Sequence, residues 1–184
     1  NREASQGQGQ RANNQAQATT AYSVLRFGNQ PSLNPTGQPI TIEAWVQSSK
    51  PNGVILAHGG PAAGYALSFD QGRPVFSIRA DSKLSEVRGA DRIGGRWHHV
   101  VGVLTADLKL LLYVDGEQIA SGQAHALLGG IPRQGLEVGA DEGGAVGSYT
   151  SPNAFSGLLD DVRVYYAALS ADDVQRRFQN AAAQ

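Results

Sequence analysis

The chain has 184 residues, 23 of them glycine, neither cysteine nor methionine, and a formal net charge of −1. Without cysteine there are no disulfides, no thiolate metal sites and no cysteine nucleophile. The near-zero charge gives no bulk attraction to nucleic acid or to an anionic membrane, and no apolar run is long enough for a membrane-spanning helix.

Residues 1–20 are mostly Gln, Asn, Ala, Ser and Gly, with no large apolar side chain. Such a stretch cannot offset its ordering entropy by burial, so it reads as a disordered linker or a trimmed N-terminus. Residues 21–180 read as one domain. Tyr22–Phe27 alternates as a first strand. Ile40–Gln47 puts Ile40, Ile42, Ala44 and Val46 on a core face, leaving Glu43 and Trp45 on the outer or concave one. Val54–His58, Tyr65–Phe69, Pro74–Arg79 and the more polar Lys83–Arg88 read as a meander, the last near a sheet edge. Trp97–Thr105 is apolar on both alternating sets, as expected of a central strand. Leu108–Val114 and Glu117–Ser121 flank Asp115-Gly116, a dipeptide suited to a two-residue turn with two positive φ angles. Leu136–Gly139 is a strand, Ala140–Ser148 a Gly-rich acidic loop, and Phe155–Tyr166 a closing strand.

The end of the chain predicts a short helix. Ser170 is the N-cap and Asp173 its capping-box partner. Leu169 and Val174 form a hydrophobic staple, Phe178 extends the buried stripe, and the helix should end near Asn180. The fold class is therefore all-β: a two-sheet antiparallel β-sandwich with a short C-terminal helix packed at one end.

Five segments, in order, resemble the laminin-G-like jelly-roll family of the concanavalin A-like lectin/glucanase superfamily. They are Thr41–Val46, Trp97–Val100 with Leu112–Gly116, Leu136–Gly139, Phe155–Tyr165 and Ala168–Val174. The resemblance spans about Tyr22 to Phe178. It implies that Tyr22–Phe27 pairs beside Phe155–Tyr166, bringing the termini together. It also implies a structural calcium ion held by Asp160 of the closing strand and by the Gly28-Asn29 loop, with the Gly28 backbone contributing; Asn29 stands where the family often has Asp. Asp160 shares parity with Val162 and Val164, which would put it at the inner rim, where a carboxylate needs a cation or N–H donors.

Catalytic signatures are sparse. His98 and His99 are neighbours on a strand and point to opposite faces, so they cannot chelate one ion. Asp160 and Asp161 should diverge likewise, and Glu43 stands alone, so no acid pair has the spacing of a glycosidase. A glycan site needs exposed aromatics and planar polar groups, for which Trp45, Tyr65, Arg79, Tyr149 and Tyr165 are candidates. A groove bearing two exposed aromatics would favour a glycan, and a flat apolar patch a protein. The sequence thus points to a non-catalytic, monomeric, extracytoplasmic module of a larger secreted or cell-surface protein, binding carbohydrate or a surface protein. A structural spacer or adhesion module is the alternative, and a concanavalin-like hydrolase is a third.

Overall fold

The computed structural model describes residues 22–28 and 30–182. The expected linker therefore lies outside the described residues, and so does Asn29. Among the described residues eleven strands form two antiparallel sheets, followed by one α-helix. The six-stranded sheet has the order β1 (Leu25–Arg26), β10 (Leu136–Val138), β3 (Gly53–Gly59), β4 (Gly64–Asp70), β5 (Arg73–Ala80), β6 (Lys83–Arg88). The five-stranded sheet has the order β11 (Gly157–Tyr165), β2 (Ile40–Ser48), β7 (His98–Leu104), β8 (Lys109–Val114), β9 (Glu117–Gln123).

The inner faces follow the alternation. Ile40, Ile42, Ala44 and Val46 meet Tyr65, Leu67, Phe69, Phe76 and Ile78 in one core. Burying each large member contributes about 2 kcal/mol. Gly102 of the five-stranded sheet leaves room for Phe76 of the other: a Cβ there would lie 2.4 Å from the Phe76 ring. The Asp115-Gly116 turn has φ of 51° and 84°, as its dipeptide predicts.

The strand pairing at one edge, and the extent and position of the helix, are corrected. β1 pairs with β10, not with β11, and β11 instead takes the free edge of β2. Glycines let β1 dock there: a Cβ on Gly135 would lie 2.7 Å from the Gly28 Cα, and one on Gly139 2.7 Å from the Ser23 carbonyl oxygen. Helix α1 (Ala171–Ala182) runs past Asn180 and lies on the outer face of the five-stranded sheet rather than at the end of the sandwich. Val174 and Leu169 pack there on Val101, Val103 and Tyr113. That cover explains why β7 is apolar on both sets. The capping box forms as expected, with the Asp173 N–H donating to Ser170 Oγ at 3.1 Å and the Ser170 N–H to Asp173 Oδ2 at 3.3 Å.

The opposite outer face, on the six-stranded sheet, is covered by the loop after β10. Val146 is fully buried against Val54, Ala57 and Ala66. Glu86 accepts hydrogen bonds from Ser77 Oγ, the Ser148 N–H and Ser148 Oγ at 2.7, 3.0 and 2.8 Å. The Gly-rich stretch is thus a fitted cover.

Candidate functional site

Helix α1 covers only part of the five-stranded sheet. Beside it the outward residues of β2, β7 and β11 line a groove of about 690 Å³. Cα register places Trp45 between His99 and Asp160, and Glu43 beside Arg163. The helix supplies Arg177, Phe178, Asn180 and Ala181 to one wall, and Arg96 and Trp97, just before β7, line it as well. Trp97 is 38% exposed. Trp45, half-buried, stacks on His99 at 5.3 Å and on Phe178 at 5.9 Å. Both tryptophans of the chain therefore line one concave surface.

Glu43 is the buried anchor of this wall, only 1% exposed. Its Oε1 accepts from Tyr165 Oη at 2.8 Å and from Arg163 and Arg177 at 3.2 Å each. Its Oε2 faces His99 Nε2 at 3.5 Å and has no hydrogen-bond partner among the described residues. Burial pushes the Glu43 pKa up, but His99, Tyr165, Arg163 and the Arg177 charge outweigh burial and hold it at about 2. Arg177 also lies over the Tyr165 ring, 4.8 Å from its centroid. One carboxylate thus ties β2, β11 and α1 together beneath the groove.

The two histidines diverge as expected. His99 faces the groove, whereas His98 Nδ1 meets Asp115 Oδ2 at 2.9 Å. Asp115 Oδ1 accepts the His99 backbone N–H at 2.9 Å, so the turn residue also pins β7.

Asp160 and Asp161 depart from their expected parity. A β-bulge lies between Asp160 and Arg163, with Asp161 at φ 49°. The extra residue lets Asp160 and Arg163 both face outward, while Leu159, Val162 and Val164 pack inward. Asp160 therefore does not share a face with Val162 and Val164. Asp161 lines the same groove, its Oδ1 accepting from Arg163 at 2.8 Å. The two described members of the expected calcium shell, Gly28 and Asp160, are not brought onto one face. Gly28 follows β1 in the six-stranded sheet, and Asp160 points away from that sheet. Asn29 lies outside the described residues, and among those described no three His, Asp or Glu side chains gather as metal ligands.

Of the candidate aromatics, Trp45 reaches the groove. Tyr65 is fully buried and bonds His58 Nδ1 at 3.0 Å, Tyr149 is held by Asp141 at 2.6 Å, and Tyr165 lies beneath the groove on Glu43. Arg79 is fixed to the Val146 carbonyl at 2.8 Å. Trp97, Arg96, Arg163 and Arg177 were not foreseen as site residues. Trp97 has the same strand parity as His99 and Val101, which was the available signal.

No curated protein matches the chain. Among solved structures it is similar to the binding domain of Paraclostridial Mosquitocidal Protein 1, with 17% identity and a TM-score of 0.68 over 86% of this chain and 41% of that one. The chain thus spans about two fifths of that domain. It is similar to the CBM40 of the Ruminococcus gnavus IT-sialidase, solved bound to alpha2,3 sialyllactose, with 16% identity and a TM-score of 0.62 over 78% of this chain and 84% of that one. It is also similar to a heptameric SAP-like pentraxin from Limulus polyphemus, with 17% identity and a TM-score of 0.57 over 83% and 79%. At these identities the likeness shows the jelly-roll sandwich. The model of the Laminin_G_3 family matches residues 17–175, and the chain belongs to this family of the concanavalin A-like lectin/glucanases superfamily.

Proposed function

We propose that this chain is a non-catalytic carbohydrate-binding module that seats a glycan in the groove between α1 and the β2–β7–β11 face. The observation that carries the reading is the groove itself: both tryptophans line it beside planar guanidinium and carboxylate groups. Sugar rings need an apolar face to stack on and in-plane donors and acceptors for their hydroxyls. Glu43, its pKa held at about 2 by its arginine, tyrosine and histidine neighbours, stays ionised near neutral pH and cannot serve there as a general acid. The reading places the module outside the cytoplasm, as a monomeric part of a larger protein.

The test is retardation of the domain in gels containing a panel of polysaccharides, alongside Trp97→Ala. We expect retardation by at least one glycan, with affinity roughly tenfold weaker in the variant. Equal retardation of both proteins would move the glycan out of the groove. A protein partner is the second reading, favoured by Leu25 and Phe27, 63% and 49% exposed on and beside the edge strand β1. Absence of retardation by every glycan would transfer the proposal to that surface.

A further inference from the structure

The groove is lined by three guanidinium and three carboxylate side chains: Arg96, Arg163 and Arg177 against Glu43, Asp160 and Asp161. Their formal charges cancel. The cations are also committed. Arg163 and Arg177 both donate to Glu43 Oε1, and Arg163 donates to Asp161 as well. Arg96, 73% exposed, faces Asp115 at 3.5 Å. Asp160 differs from the other acids. Among the described residues it forms no ion pair, and its one hydrogen bond comes from the Asp161 N–H at 2.8 Å. It stands beside Trp45, turned outward at the bulge.

Resting on the groove reading above, we infer that the groove selects an uncharged, hydroxyl-rich saccharide, and that Asp160 sets this selectivity by accepting sugar hydroxyls and repelling acidic sugars. A carboxylated sugar would have to displace Glu43 or Asp161 from an arginine and would meet the unneutralised Asp160 charge. A neutral sugar meets neither obstacle. Its hydroxyls donate to Asp160 and accept from arginine N–H groups not spent on Glu43. The bulge makes this arrangement possible: Asp161 takes a left-handed conformation uncommon for a residue other than glycine, and both neighbouring carboxylates serve one face. Sialyllactose, the ligand solved with the CBM40 neighbour, is an acidic sugar, so the inference separates this groove from that similarity.

The experiment uses matched pairs in which a methyl ester removes the charge of the acidic member: sialyllactose methyl ester against sialyllactose, and methyl-esterified against free polygalacturonate. Binding is measured by calorimetry or gel retardation for the native protein, Trp97→Ala and Asp160→Asn. We expect the neutral member of at least one pair to bind at least tenfold more tightly than its acidic counterpart, with loss in Trp97→Ala. Asp160→Asn, isosteric and at an exposed position, should weaken the neutral ligand roughly tenfold and narrow the gap to the acidic one. Preference for the acidic members, lost in Trp97→Ala, would overturn the inference while leaving the groove reading intact. An unchanged acidic-to-neutral ratio in Asp160→Asn would remove Asp160 as the selector. Binding insensitive to Trp97→Ala, or no binding at all, would overturn the groove reading and the inference with it.

Discussion

The two outer faces of the sandwich carry the same kind of feature and treat it oppositely. Each has a glutamate on a strand and a cover laid across it. On the six-stranded sheet the loop fits closely, and Glu86 accepts three hydrogen bonds from Ser77 and Ser148. On the five-stranded sheet the helix stops short of β11, and Glu43 Oε2 has no hydrogen-bond partner among the described residues, beside an open groove. A loop with glycines can follow a surface, whereas a straight helix touches a twisted sheet along a stripe and leaves a margin. The incomplete cover makes the site.

The sharpest way to break this comparison is to exchange the glutamates for glutamine. Glu43→Gln removes the charge that two arginines and Tyr165 share and should cost about 3 kcal/mol in urea unfolding. Glu86→Gln, on the covered face, should cost about 1 kcal/mol. Equal losses would erase the distinction.

Acid titration separates the sites further. Burial lowers the His58 pKa from 6.5 to about 4, so the unfolded chain takes up a proton that the folded chain refuses. Its contribution is complete above pH 6.5 and falls away towards pH 4, by on the order of 3 kcal/mol. Glu43 runs in the same direction at lower pH. Its folded pKa is depressed from 4.5 to about 2, so its contribution, of similar size, is complete above pH 4.5 and is lost as pH falls to about 2. Stability measured against pH should show both windows, with His58→Gln flattening the first and Glu43→Gln the second.

Val146→Ala, which opens a hole under the loop, should cost about 2 kcal/mol while leaving groove binding unchanged. Trp97→Ala should do the opposite, shifting stability by less than about 1 kcal/mol while weakening glycan binding. The smallest expected effect is that of calcium. Because Asp160 faces away from the sheet that carries Gly28, addition of calcium or of a chelator should leave the melting temperature unchanged.

Much of the sandwich was legible because burial imposes period two. Ile40, Ile42, Ala44 and Val46 gave the face of β2 and so the outward position of Trp45 and Glu43. The helix cap was legible because Ser170 and Asp173 interact locally. Pairing partners were not: β1 has only two ladder residues, and its dock on β10 depends on close approaches at Gly135 and Gly139 that have no periodic signature. The groove was half legible. Trp45 could be placed, but Arg177 joins the site through a helix whose landing face no local pattern fixes. Asp160 and Asp161 were misplaced because counting by twos fails across a bulge.

The bulge also changes what kind of variation the groove can absorb. Between Asp160 and Arg163 the chain of β11 holds one residue more than β2 needs. Removing Asp161 would leave Leu159 opposite Val46 and Arg163 opposite Glu43, with the ladder intact on either side. Insertion or deletion of a single residue at this point therefore edits the carboxylate count of the groove without shifting the register of the strand, so chain length at one position tunes its chemistry as directly as any side-chain exchange.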